Sequence, residues 1–387
     1  MTPLSSAAPL AERLRAASPQ APFRIVGAGT WLHGGGPWAD ATPLPVGELR
    51  GVVEYTPGDL VITAHAGTSL AELSAITAEH GQMLAIAPYG AAHATIGAMV
   101  ATASPSPLAF GDYTVRDLVL GLEVVTGTGD ITRTGGRVVK NVAGFDLVRL
   151  HTGAYGTLGA ITEVSLRLHA RPAVDEYVVC LVSDGNHDAG AISLDDLLPK
   201  LISQRAPLPM LLVSTPNDAP QLLARLSGNS ARAAALRTHL RGLGVATPRE
   251  IPAAQVEQAV RHTSIEAVVL RARTYRSDAV PFVRAARDAF PQATLCYDPA
   301  HGSLRVVLPA GAAASLERDI ATWYRLAAAN GAMHTISVVV DQGRTLATPL
   351  VTSRSPLETG IKAALDPHDV LNRLAPISTA HLALADA

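Results

Sequence analysis

The chain has 387 residues, of which 48% are hydrophobic and 17% charged, with a formal net charge of -2. That length can hold two domains with separate cores, the composition is that of a soluble globular protein, and the near-neutral balance excludes the basic surface on which nucleic-acid binding rests. Its two cysteines, Cys180 and Cys296, form no CxxC pair, zinc set or iron–sulfur motif, and a reducing cytoplasm is the simplest setting.

Residues 1–20 read as a short amphipathic helix around Leu10, Leu14 and Ala17, without the basic start and apolar run of a signal peptide. Residues 23–26 form a strand that runs into Gly27-Ala28-Gly29-Thr30. Residues 52–55 are a second strand, 56–59 a turn, and 60–66 a third strand. Ser69 then caps a helix whose Leu70, Leu73, Ile76 and Thr77 share a face; Glu72 completes a capping box and Gly81 ends the helix. The most apolar window, 83–103, is interrupted by Pro88, Gly90, His93 and Gly97, so it reads as buried loop and helix near a ligand rather than a membrane span. A strand over 119–125 returns through the hairpin 127–130 to Ile131. Four glycines then fall between Gly144 and Gly159, ahead of a strand-like 161–168. On glycine content alone, this density fits either two ordinary turns or a backbone approached closely by something flat or phosphorylated.

After Pro172 the glycine clusters stop. Strands are expected over 178–182, 210–214 and 267–271, and alanine-rich helices over 221–226, 231–240 and 279–289. Residues 302–308, 313–329 and 334–340 follow as strand, helix, strand. The composition places a domain boundary near residue 172.

The run Lys140-Asn141-Val142-Ala143-Gly144-Phe145-Asp146-Leu147, followed by Gly153-Ala154-Tyr155-Gly156-Thr157-Leu158-Gly159, carries a resemblance. It is similar to the flavin signature of the p-cresol methylhydroxylase and vanillyl-alcohol oxidase (PCMH-type) superfamily, in particular to the FAD-binding subunits of glycolate oxidase and D-lactate dehydrogenase. Ala154 stands where Ser is commoner in the family. The tail from Ile361 through Asp366-Pro367 to Asn372 also resembles the family, as a helix, Asp-Pro, then a short helix ending in Asn; Arg373 and Leu374 replace its usual Pro-Gly. The likeness covers residues 22–172 and 356–376. It implies an α+β fold: a two-subdomain FAD domain over 1–172, an α+β cap over 173–354, and a tail over 355–387 that packs back on the FAD domain.

A diphosphate can be held by backbone N–H groups in glycine turns without lysine. Residues 26–35 supply such a turn, although a plain surface loop fits the segment alone. A Rossmann reading fails because the sixth position is Leu32, and a Walker reading fails because no Gly-Lys-Ser/Thr follows. The resemblance implies a first FAD loop at Val26, Gly27, Ala28, Gly29, Thr30 and Trp31. It implies a second at Pro88, Thr95, Ile96, Gly97 and Ala98, and a third at Gly153, Gly156, Thr157 and Ile161. Lys140 and Asn141 come next, with an exposed strand-end charge as the alternative for Lys140. Some members link the flavin covalently through a histidine where this chain has Thr30, and His33 is out of register, so noncovalent FAD is expected.

Oxidation of a 2-hydroxy acid needs a group to take the hydroxyl proton and one to bind the carboxylate. Metal-assisted relatives use a His-x-His-x-Gly-Asp-Gly-Asn strand and a Glu-His pair; this chain has neither, and no metal is expected. Arg271 and Arg273 alternate on one strand and so share a face, where they suit a carboxylate or line a salt-bridged surface. Tyr297 is a candidate hydrogen-bond partner for substrate, and His301 an acid/base candidate or a loop histidine. The resemblance implies an FAD-dependent oxidoreductase: the FAD-binding subunit of a glycolate/D-lactate-type 2-hydroxy acid oxidoreductase complex. Its partners would be a second flavin subunit and an iron–sulfur subunit, with at most peripheral membrane association through them. The alternatives are a stand-alone FAD-dependent oxidase or dehydrogenase and a flavin-domain scaffold.

Overall fold

The computed structural model describes residues 6–30, 41–86, 93–103, 108–109, 113–137, 145–183, 192–203, 209–216, 218–260, 268–309, 316–330, 337–339 and 356–372. They fall into two units. One takes the described residues within 1–106, 113–171 and 345–377, the other those within 107–112, 172–344 and 378–387.

The first unit begins with α1 (Ala7–Arg15), whose Leu10 and Leu14 face inward. Strand β1 (Phe23–Val26) pairs in parallel with β2 (Thr42–Pro45). Proline at two of the four β2 positions removes ladder donors, which suits an edge. Then come β3 (Val52–Thr56), β4 (Val61–His65), α2 (Leu70–Ala78), β5 (Gln82–Met83), α3 (Ile96–Thr102), α4 (Val115–Leu118), β6 (Val119–Val125), β7 (Ile131–Gly135), α5 (Leu147–His151), β8 (Ala160–Arg167) and β9 (His169–Ala170). Ser69 Oγ accepts the Glu72 N–H at the start of α2, as its position in the sequence requires. Strands β3, β4, β8, β6 and β7 form one sheet in that order, antiparallel throughout. The central β4 and β6 are almost wholly buried, whereas the edge strand β7 shows no buried residue.

The second unit is built on an eight-stranded sheet. Its elements are β10 (Val174–Leu181), α6 (Leu194–Ser203), β11 (Met210–Ser214), β12 (Gln221–Gly228), α7 (Ser230–Gly242), β13 (Arg249–Ile251), α8 (Ala253–Val260), β14 (Val268–Arg273), α9 (Ala279–Ala289), β15 (Thr294–Asp298), β16 (Ser303–Leu308), α10 (Leu316–Ala329) and β17 (Ser337–Val339). The strand order is β13-β10-β12-β11-β15-β16-β14-β17. Residues 221–226 are therefore a strand and not the helix their Gln-Leu-Leu-Ala-Arg-Leu composition suggests. Pairing on both sides, with β10 and β11, buries Leu222 to Ser227 and overrides the local helix preference.

The sheet has two different faces. On one, Leu222, Ala224, Leu270, Tyr297 and Leu304 are buried apolar side chains, and α7 lies on this side because Arg237 pairs with Glu176, which shares a face with Val178. Trp323 of α10 packs against Phe282 of α9 and Phe290. The opposite face is mixed: Arg225, Ser227, Asp298, Ser303 and Arg305 share it with the buried Val179, Leu211, Val213, Leu223, Val269 and Val307.

The tail belongs to the first unit. Helix α11 (Pro356–Leu365) carries the buried Lys362, whose Nζ donates to the Thr157 carbonyl (2.8 Å) and pairs with Asp366 and Asp369. The short helix expected after Asp366-Pro367 is a turn. The Asp366 carboxylate takes the N–H groups of Val370 and Leu371, both at 2.9 Å, and Asp369 has φ 50°, so no helical run forms.

Candidate FAD site

Three stretches far apart in sequence line one cavity of the first unit: Gly27, Ala28, Gly29 and Thr30; Thr95, Gly97 and Ala98; and Tyr155, Gly156, Gly159 and Ile161. The first follows β1, where Gly29 has φ 76°, a conformation that glycine adopts without strain. The second opens α3, with Thr95 Oγ1 accepting the Ala98 N–H at 3.2 Å. A Cβ on Gly27 would stand 2.6 Å from Thr95 Oγ1, so the first two loops are in direct contact. The third loop is pinned to α3 by Gly153 N–H to Val100 O (3.0 Å) and Tyr155 N–H to Ala101 O (2.8 Å). Its Gly153, Tyr155 and Gly156 all have positive φ.

Asn372 closes the arrangement. Its Oδ1 accepts the Ile25 N–H (2.8 Å) and its Nδ2 donates to the Tyr155 carbonyl (2.7 Å), so one side chain fixes the spacing of the first and third loops. Two buried polar atoms at the cavity, Arg24 Nε and Thr30 Oγ1, have no hydrogen-bond partner among the described residues. Buried polar groups in this state are rare in native proteins, and a cation and a hydroxyl beside glycine turns fit an anionic ligand such as a diphosphate. His151, at the end of α5 beside Gly159, is buried, and burial lowers its pKa to about 4.

Of the sequence-based FAD candidates, Gly27, Ala28, Gly29, Thr30, Thr95, Gly97, Ala98, Gly156 and Ile161 line the cavity. Val26, Ile96, Gly153 and Thr157 flank it in sequence without lining it. Trp31, Pro88, Lys140 and Asn141 lie outside the described residues. Sequence reasoning did not single out Arg24, Ala101, Thr102, Tyr155 or Asn372 as lining residues. Tyr155 and Asn372 stood inside recognised motifs, but nothing in the sequence says that their segments meet.

In the second unit Arg271 and Arg273 share the sheet face of Arg305 and Ser303; Arg271 is half-buried and Arg273 exposed. His301 Nδ1 lies 2.7 Å from the buried Asp298 Oδ2, while Asp298 Oδ1 accepts the N–H groups of Ala300 and His301. Arg273 Nε donates to the His301 carbonyl at 3.3 Å. Tyr297 points to the other, apolar face, one residue out of phase with Asp298. Among the described residues no group of three or more His, Cys, Asp or Glu side chains is placed to hold a metal ion.

The comparisons with known proteins agree with this geometry. Three glycine loops around a cavity with two unpartnered buried polar atoms suit a diphosphate cofactor, and residues 4–135 match the family of the FAD binding domain. The chain thus carries an FAD-binding domain, and FAD is its cofactor. The glycolate oxidase subunit GlcE of Escherichia coli is 44% identical over 160 residues, 41% of this chain and 45% of that protein. The glycolate oxidase subunit GlcD of Bacillus subtilis is 32% identical over 173 residues, 44% of this chain and 36% of that one. The mitochondrial D-lactate dehydrogenase [cytochrome] of Arabidopsis thaliana is 38% identical over 122 residues, 32% of this chain and 21% of that one. The matches thus span less than half the length of these relatives. In overall fold the chain is similar to alkyldihydroxyacetonephosphate synthase, with TM-score 0.68 and 15% identity over 95% of this chain and 74% of that one. No described helix is long and apolar enough to cross a membrane.

Proposed function

We propose that the chain is the FAD-binding subunit of a 2-hydroxy acid oxidoreductase complex of the glycolate/D-lactate type, working with a second flavin subunit and an iron–sulfur subunit. The observation that carries this reading is the convergence of the three glycine loops and Asn372 on one cavity with unspent donors at Arg24 and Thr30. The names of the similar proteins, two of them subunits of glycolate oxidase, support the substrate class and the assembly. Bound FAD supplies the two-electron acceptor. Arg24, Thr30 and the backbone of Gly27 to Gly29 would hold its diphosphate, while Gly97, Gly153 and Tyr155, whose N–H groups already donate to Ala66, Val100 and Ala101, would shape the cavity wall. The absence of a linking histidine at Thr30 supports noncovalent binding. A setting in the cytoplasm, with any membrane attachment made through the partners, fits the cysteine usage.

A second reading, a stand-alone FAD-dependent oxidase or dehydrogenase, is favoured by one feature: the Asp298–His301 pair. A carboxylate on Nδ1 orients an imidazole and supports a proton acceptor on the other nitrogen. Anaerobic mixing of the purified yellow chain with glycolate and with D-lactate separates the two. Slow or absent flavin bleaching by the lone chain, and bleaching within a turnover time once the partner subunits are present, fits the complex. Turnover by the lone chain at roughly 1 per second or more, an ordinary enzyme rate, overturns it.

A further inference from the structure

The third glycine loop turns on a residue that local rules disfavour. Residues 154–157 form a tight turn, closed by the Thr157 N–H to the Ala154 carbonyl at 2.9 Å. Both central residues have positive φ, 53° at Tyr155 and 70° at Gly156. A turn with positive φ at both central positions favours Asn-Gly, and this chain has Tyr-Gly. Tyrosine lacks the local side-chain hydrogen bonding that lets asparagine visit the left-handed region. Four described non-glycine residues have positive φ, Leu60, Ala103, Tyr155 and Asp369, and of the four only Tyr155 lines the FAD cavity. Strain held at a ligand site, where asparagine would relieve it, calls for a reason in the side chain.

The surroundings fix this residue from both ends. Its N–H donates to the Ala101 carbonyl of α3 at 2.8 Å, and its own carbonyl accepts Asn372 Nδ2 at 2.7 Å. With the backbone held, only the two side-chain torsions are left to order when a ligand arrives, and a tyrosine loses little entropy in doing so. Tyr155 is half-buried, and it is the one aromatic among the described residues that line the cavity. The others are glycine, alanine, threonine, aliphatic residues, Arg24 and Asn372. FAD brings two flat rings, adenine and isoalloxazine, and glycine turns offer neither of them a face to lie on. An aromatic side chain does, because offset stacking buries two flat surfaces at once.

We propose that the Tyr155 ring is a stacking platform for one of the two flat rings of FAD, and that the left-handed backbone at this position serves to present it. The proposal rests on the FAD reading of the cavity. It divides the turn into two tasks. Gly156 keeps space open, since a Cβ there would stand 2.8 Å from Asn372 Nδ2 and 2.9 Å from Ile25 Cδ1. Tyr155 lines that space with an aromatic face.

Two variants of the full-length chain separate the ring from the backbone. Tyr155→Phe keeps the ring. Tyr155→Asn removes it and suits the turn, so the fold is not put at risk. FAD dissociation constants come from fluorescence titration of the deflavinated proteins, and urea midpoints are read on the same FAD-free samples. Tyr155→Phe should bind within about three-fold of the parent, and Tyr155→Asn roughly ten-fold or more weakly, as expected for the loss of one ring stack. The urea midpoint of Tyr155→Asn should equal or exceed the parent's. Competition by ADP and by FMN tells which ring is stacked: Tyr155→Asn loses affinity for ADP alone if it is adenine, and for FMN alone if it is isoalloxazine. Parent-like FAD affinity of Tyr155→Asn, or equal losses in Tyr155→Asn and Tyr155→Phe, would overturn the platform. So would a loss for FAD, ADP and FMN alike with a lowered urea midpoint, which would assign Tyr155 to holding the loop. A parent chain that binds no FAD would sink the flavoprotein reading itself and the platform with it, and the parent titration gives that result apart from any variant.

Discussion

Gly29 and His151 are the two residues whose local physics reaches furthest. Gly29 sits at φ 76°, and a valine there costs about 1–2 kcal/mol of backbone strain while filling the space the diphosphate approaches. Gly29→Val is expected to purify with less than a tenth of the parent's flavin and a matching far-ultraviolet circular dichroism spectrum; stoichiometric flavin would show that the diphosphate lies elsewhere. His151 is buried as the neutral imidazole, its pKa lowered from 6.5 to about 4. The folded state therefore takes up this proton later than the unfolded state. The stability tied to neutral His151 is complete above pH 6.5 and is lost progressively as pH falls towards 4, in total about 3 kcal/mol. Denaturant midpoints at pH 7 and 4.5 should fall further for the parent than for His151→Gln; equal falls would remove His151 as the cause. The glycines of the first and third loops were legible in the sequence because a positive φ leaves few alternatives. Asn372 as a bridge was not, since its two partners are backbone groups of Ile25 and Tyr155, 347 and 217 residues away.

At the scale of elements, the tail has the clearest consequence. α11 and the turn after it fasten onto the third loop by Lys362 to Thr157 and by Asn372 to Tyr155, and Asn372 also holds the first loop. Asn372→Ala leaves the Ile25 N–H and the Tyr155 carbonyl unpaired, at a cost of about 1–3 kcal/mol. The FAD dissociation constant should rise roughly ten- to hundred-fold by fluorescence titration of deflavinated protein. An unchanged constant would mean that the tail supports the fold but not the loop spacing. The same scale shows where sequence reasoning loses its grip. β12 has leucines and alanine that favour a helix, and only its two strand neighbours decide otherwise. The turn after Pro367 depends on a side-chain acceptor, Asp366, competing for the backbone N–H groups a helix would use. By contrast α2, with Ser69 as its cap and Gly81 beyond its end, and the hairpin of β6 and β7 are set by local rules and were legible.

For the whole molecule, family likeness revealed the cofactor but not the substrate machinery, and the structure explains the difference. The FAD cavity is made of loops whose residue types are dictated by backbone approach, so it leaves a motif. The mixed face of the second unit's sheet is made by register: Arg271 stands opposite Arg305 only because β14 and β16 pair, and no spacing in the chain announces it. The sequence carries neither the paired-histidine strand nor the Glu-His pair of metal-assisted relatives, so any turnover by the isolated chain is expected to survive chelation. A rate that collapses with a chelator and returns with zinc or manganese would contradict that. The central claim is that the three loops hold one FAD without a covalent bond. It is tested most directly by acid precipitation of the purified protein followed by flavin measurement in both fractions. The account predicts about one FAD per chain, all of it in the supernatant; a chain without flavin, or flavin that stays with the precipitate, would contradict it.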